Sequence, residues 1–153
     1  MGAEPTAVYR DRWLLVLDKP AGLPAQRTAE GEDGLFEWAK AREAYVGLHH
    51  RLDRNASGLM LLVLDRAVNR AIAEGFRTHA IRRTYTALCE GEVIDASWRW
   101  PVDGKRARTD VSVRAYQDGV STVECRLQTG RKHQIRLHAA LNGTPLVGDT
   151  RYG

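Results

Sequence analysis

Ser57–Leu64 (SGLMLLVL) is the most apolar stretch of the chain, and it follows directly on one of the most polar. The run is too short for a long helix and too apolar for an edge, so it predicts a strand in the middle of a sheet. The ten residues before and into it, His49 to Gly58, include five that carry or can carry charge. A central strand entered from a charged loop places ionisable groups at the rim of a hydrophobic core.

The rest of the chain supplies partners for that strand. Trp13–Leu17 (WLLVL) is a second continuous apolar run, and Asp18-Lys19-Pro20 with Gly22 ends it. Leu35–Ala44 has helical spacing through Phe36, Ala39 and Glu43. Asp65 is placed to cap a helix over Arg66–His79, with Val68, Ile72 and Phe76 four apart. Thr84–Cys89 alternates as a strand. Val111, Val113 and Ala115 form one apolar face and Val123, Cys125 and Leu127 another, with Asp118-Gly119 as the turn of a hairpin. Gly130 precedes a helix over Arg131–Leu141 that Asn142-Gly143 stops. Hairpins outnumber strand–helix–strand crossovers, so the expected class is α+β, with a mixed, mainly antiparallel sheet and flanking helices. No linker, repeat or low-complexity segment divides the 153 residues, and a single domain over 1–153 is expected.

No apolar run approaches the roughly 18 residues of a membrane span, and the N-terminus lacks the pattern of a secretory signal. Cys89 and Cys125 lie inside apolar segments and read as reduced, buried thiols, which points to the cytoplasm. Lysine and arginine together number 23 against 19 acidic residues, a net charge of +4. Lysine stands only at 19, 40, 105 and 132, so the other 19 basic residues are arginines. Arginine pairs with phosphate through two parallel hydrogen bonds and stacks on bases, which suits an RNA or DNA partner. A high-GC genome encoding arginine for solubility gives the same composition.

Three clusters can carry chemistry. In His49-His50-Arg51-Leu52-Asp53-Arg54-Asn55-Ala56-Ser57-Gly58, Asp53 stands between Arg51 and Arg54, surroundings that favour the charged carboxylate. The plainer alternative is a polar loop with a structural ion pair. In Gly130-Arg131-Lys132-His133-Gln134-Ile135-Arg136, cations crowd a helix start whose dipole they oppose, and a bound polyanion would relieve this. The alternative is a solvated basic face. Tyr85 follows Arg82 and Arg83 into a strand, a combination suited to stacking on a base, or equally a core tyrosine with its hydroxyl at the rim. No metal-ligand spacing and no glycine-rich phosphate loop is present, so neither a metal nor a nucleotide cofactor is expected.

Residues His50 to Leu59 (HRLDRNASGL) resemble the catalytic motif of the RluA-type pseudouridine synthases. Further similarities follow in the family's order: Asp18–Leu23 (DKPAGL), Arg83–Leu88 (RTYTAL), Gly130–His138 (GRKHQIRLH) and Pro145–Asp149 (PLVGD). The resemblance implies a central catalytic cleft and isomerisation of uridine to pseudouridine in tRNA or rRNA, with no cofactor. By the same resemblance Asp53 is the essential carboxylate, either a nucleophile on the ribose or a base at C2′. Tyr85 stacks on the uracil, and Arg136 pairs with Asp53. Arg51 helps extrude the nucleotide, and Arg54, Arg131, Lys132, His133 and Lys19 bind RNA. Asn55-Ala56 stands where many relatives have Asp-Thr, and Asp18 replaces a frequent asparagine. Relatives usually continue beyond the closing glycine with a further strand, so either this sequence is a piece of a longer protein or the family core is trimmed; a short catalytic domain without the auxiliary RNA-binding domain of some relatives, acting as a monomer, is the expectation. Two competing functions are an inactive RNA-binding or RNA-remodelling module on the same fold and a metal-dependent phosphohydrolase.

Overall fold

A computed structural model describes residues 3–153, and the chain falls into two compact units, one through Ala80 and the other Ile81–Gly153. Each is described by itself.

The first unit is a four-stranded antiparallel sheet in the order β1-β2-β4-β3, built from β1 (Thr6–Arg10), β2 (Leu14–Lys19), β3 (Gly47–Leu48) and β4 (Gly58–Val63). The apolar run beginning at Ser57 is a central strand, as expected. Leu15 and Leu17 of β2 stand opposite Leu62 and Met60 of β4, and all four are buried. Because side chains alternate along a strand, the next residue on that inward face is Lys19. β2 ends there, immediately before Pro20, which has no N–H to continue the ladder.

Helix α1 (Leu35–Lys40) is shorter than the expected 35–44, and Leu35 and Ala39 are its buried positions. The Glu37 carboxylate accepts the Gly34 N–H at 3.1 Å, the half of a capping box that a glycine N-cap leaves possible. Beyond Lys40 the chain turns, and Glu43 pairs with Arg10 of β1. Helix α2 (Arg66–Arg77) is capped as predicted, Ala67 N–H donating to Asp65 Oδ1 at 2.8 Å. It stops short of His79, whose φ of 61° leaves the right-handed region.

The second unit is another antiparallel sheet, ordered β5-β8-β7-β6: β5 (Thr84–Glu90), β6 (Ala96–Trp98), β7 (Thr109–Gln117) and β8 (Val120–Leu127). The β7–β8 hairpin turns on Asp118 (φ 53°) and Gly119 (φ 79°), the two left-handed residues of a tight hairpin connection. A bulge between Val113 and Ala115 shifts the phase of β7, so Ala115 is exposed instead of continuing the inward face of Val111. Val123, Cys125, Cys89 and Val111 form the core with Ala139 of helix α3 (Gln134–Leu141). Both cysteines are free and buried, and burial pushes the thiols up, Cys89 to about 11 and Cys125 to about 12.

The expected α+β class holds, with antiparallel pairing at every ladder among the described residues, the strands falling into two four-stranded sheets instead of one. β1, β3 and β6 come in addition to the expected strands. No described helix is long and apolar enough to cross a membrane.

Candidate active site

The loop carrying Asp53 joins β3 to β4 and is fastened at several points. The His50 ring stacks on Phe76 of α2, centroids 4.4 Å apart, and its Nε2 accepts the Leu61 N–H of β4 at 2.9 Å. That acceptor role fixes the tautomer, leaving Nδ1 to carry the proton. Leu52 is buried, and Ala56 N–H donates to Asp53 O at 3.0 Å, closing a turn around the acid. Asp53 itself is partly buried. Its two neighbours divide the labour: Leu52 anchors into the core, while Arg54 ties outward.

Arg54 holds the loop against the segment after β2. Its Nε donates to Gly22 O at 3.0 Å, and the Gly22 N–H donates to Arg54 O at 2.8 Å. Its guanidinium reaches both carboxylate oxygens of Glu32 at 2.7 Å. Gly22 has φ 91°, a conformation that glycine adopts without strain.

Lys19 corrects the expectation of an RNA contact. It is 0% exposed, and its ammonium donates to Leu23 O (2.7 Å), Pro20 O (2.9 Å) and Arg54 O (3.2 Å). All three donors are directed at backbone, so Lys19 positions the Asp53 loop. Burial lowers its pKa, and the negative charge of Asp53 acts the other way, so the two residues are coupled electrostatically. The sequence signal was the period of two in Leu15, Leu17, Lys19.

In the second unit, Tyr85 stands on β5 opposite Cys125 and packs against the same core as Ile135 of α3. Arg136 lies in the first turn of α3, with Nε and Nη2 each 2.8 Å from an oxygen of Asp149. Asp149 also accepts the N–H groups of Arg151 (3.0 Å) and Tyr152 (3.1 Å). The Arg136 hydrogen bonds hold its carboxyl far below the usual range, against the opposing effect of burial. Tyr152 lies under the Arg136 guanidinium at 5.0 Å, and its hydroxyl meets His133 Nδ1 at 2.9 Å. Asp149 and Tyr152 were outside the expected site residues. The PLVGD motif was the signal that could have found Asp149.

The basic segment differs in form from the expected helix start. Arg131, Lys132 and His133 precede α3, and His133 has φ 56° in the left-handed region. Gln134, 2% exposed, organises the segment instead. Its Oε1 accepts Thr129 Oγ1–H (2.7 Å) and Arg131 N–H (3.1 Å), and its Nε2 donates to Arg108 O and Thr109 Oγ1, both at 2.9 Å. Every polar atom of this buried amide is used. Arg131 and Lys132 remain exposed, as does Arg51 in the first unit. The Arg83 guanidinium packs so closely against Gly130 that a Cβ there would collide with it.

His49 Nε2 donates to Asn69 Oδ1 at 2.7 Å. Among the described residues no group of three His, Cys, Asp or Glu side chains is arranged to hold a metal ion.

Comparison with known proteins agrees with the motifs. A family model described as RNA pseudouridylate synthase matches residues 13–141. An uncharacterized RNA pseudouridine synthase of Zymomonas mobilis is 34% identical over 95% of this chain and 77% of its own length. A ribosomal large subunit pseudouridine synthase D of Xanthomonas campestris is 33% identical, and a tRNA pseudouridine synthase C of Salmonella typhi 31%. This chain spans 51% and 68% of those two, about half the length of the large-subunit relative. Among solved structures, human RNA pseudouridylate synthase domain containing 1 superposes with a TM-score of 0.81 at 25% identity, over 100% of this chain and 72% of that one. The chain belongs to the RNA pseudouridylate synthase family, a family of isomerases.

Proposed function

We propose that this chain isomerises uridine to pseudouridine in tRNA or rRNA, in the cytoplasm, with Asp53 as the essential carboxylate. The reaction breaks the bond from uracil N1 to ribose C1′, turns the base, and rejoins it through C5. The C5 proton leaves and N1 gains one, so the product is an isomer of the substrate. Asp53 acts as the nucleophile that takes up the ribose or as the base at C2′; both need an ionised carboxylate in a fixed place.

The observation that carries this reading is the fastening of the Asp53 loop. Leu52 is in the core on one side, and on the other the Arg54 backbone and side chain are bound by Lys19, Gly22 and Glu32. A carboxylate on so constrained a loop suits chemistry that demands positioning. Tyr85 stacks on the target uracil. Arg136, whose guanidinium is oriented by Asp149 and Tyr152, is the cation that keeps the essential carboxylate ionised. Arg51 takes the place of the extruded nucleotide, offsetting the few kcal/mol that unstacking costs. Arg54, Arg131, Lys132 and His133 meet the phosphates. The names of the relatives support RNA as partner and tRNA or large-subunit rRNA as the substrate class.

The test is a transcriptome-wide map of pseudouridine in cells with and without the gene. At least one uridine in tRNA or rRNA should lose modification on deletion and regain it on complementation. A map that does not change leaves the inactive RNA-binding module as the function.

A further inference from the structure

The segment from Arg99 to Arg108 lies outside the family motifs, yet its backbone is held by the catalytic segment itself. His138 Nε2 lies 2.7 Å from Trp100 O, Arg131 Nε donates to Arg106 O at 3.2 Å, and Gln134 Nε2 donates to Arg108 O at 2.9 Å. Arg108 N–H returns a bond to Thr129 Oγ1 at 2.9 Å. The buried Gln134, His138 and Thr109 thus join the 99–108 segment to α3 at both ends, His138 Nδ1 meeting Thr109 Oγ1 at 3.0 Å. At its centre, Val102 and Lys105 exchange two backbone hydrogen bonds across a tight turn. Its residues, Asp103 (φ 50°) and Gly104 (φ 70°), are both left-handed.

What this framework displays is cationic and aromatic. Arg99, Lys105, Arg106, Arg131 and Lys132 are exposed, and Trp100 is 49% exposed between them in sequence. The acids nearby are Asp103, in the turn, and Asp110, which Arg108 and Ser97 already engage. A tryptophan left in water next to arginines costs hydrophobic free energy, and it is what a stacking platform for an unpaired base requires.

We propose that the Arg99–Arg108 segment is a second RNA-contact surface. In it Trp100 stacks on an unpaired base of the bound RNA, and Lys105, Arg106 and Arg131 hold the adjoining phosphates. This rests on RNA being the partner. It adds a route to substrate choice that the motif residues do not supply, since stacking on Trp100 favours RNA that presents an unpaired stretch.

The test measures binding of fluorescein-labelled oligouridylate to the full chain by anisotropy across a salt series. Trp100→Ala should weaken binding about tenfold, the usual order for losing one stacked base, and Trp100→Phe should restore most of it. A Lys105→Ala, Arg106→Ala double variant should flatten the salt dependence, by about 0.7 in log–log slope per phosphate contact removed. Equal affinity of wild type and Trp100→Ala overturns the stacking role, and an unchanged slope in the double variant overturns the phosphate contacts. Binding is independent of turnover, which separates the two failures. A wild-type chain that binds through these residues but modifies no RNA contradicts the isomerase function and leaves the surface standing. An active chain indifferent to all three substitutions does the reverse.

Discussion

Arg136 and Asp149 are joined by two parallel hydrogen bonds of 2.8 Å each, and Asp149 is almost wholly covered while accepting two backbone N–H groups besides. A carboxylate so placed loses its partners if Arg136 shifts, and Arg136 loses its orientation if the acid goes. The pair is therefore a positioning device for the guanidinium.

Its first consequence is an acid sensitivity. The folded state depresses the pKa of Asp149, so its contribution is fully present above the unfolded carboxylate value of about 3.9 and fades as pH falls toward the folded one. Denaturant titrations should show wild-type stability dropping below about pH 4 by more than Asp149→Asn does. At neutral pH that substitution should cost on the order of 2–3 kcal/mol, since it leaves a partly covered guanidinium short of its anion. Equal acid profiles for the two proteins would assign the effect to other carboxylates.

Lys19 gives a second consequence, because its ammonium serves three carbonyls and no phosphate. Lys19→Met should lower stability by about 1–3 kcal/mol, through the carbonyls left without a donor. It should also speed amide exchange at Gly22 and depress turnover more than RNA affinity. A variant whose affinity falls while kcat holds would return Lys19 to the RNA interface.

Much of this was legible in the residues, and the misses have physical causes. The Asp118-Gly119 hairpin, the central strand from Ser57 and the Asp65 cap each depend on local chemistry that sequence displays directly. The burial of Lys19 depends on strand phase, and a lysine two residues beyond Leu17 looks like a surface residue unless the alternation is carried through the charge. The start of α3 was displaced because His133 takes a left-handed conformation, while Gln134 satisfies the preceding turn from beneath. That role is set by Thr129 and Thr109, and Thr109 is 25 residues away from Gln134. Ala115 left its expected face because of a bulge, which no alternating pattern reveals. Asp53, Tyr85 and Arg136 were named from the family motifs, and the roles given to them are those proposed above. Asp149's role as the partner of Arg136 came only from the structure.

The thiols supply a third prediction. With Cys89 raised to about 11 and Cys125 to about 12, neither is a thiolate at neutral pH in the fold. Ellman's reagent at pH 8 should label them only as fast as the protein unfolds. Stability should decline as pH rises above the unfolded thiol value of about 8.5, since the unfolded chain then releases protons that the folded one keeps. Rapid labelling of native protein would contradict the burial.

His50 supplies a fourth. Phe76 is buried and supports the ring that receives the Leu61 N–H, so Phe76→Ala should cost about 3–5 kcal/mol and loosen the Asp53 loop. Phe76→Leu should retain most of the stability, yet lose activity in proportion to the mobility of the His50 ring in NMR relaxation. Full activity in Phe76→Leu would show that the stack does not position the loop.

The most direct measurement is nucleoside mass spectrometry on RNA from the deletion strain, incubated with purified wild-type chain or Asp53→Asn. The account predicts pseudouridine with the wild type and none above background with Asp53→Asn, although both bind the RNA equally and melt within a few degrees of each other. Pseudouridine formed at a comparable rate by Asp53→Asn would contradict it.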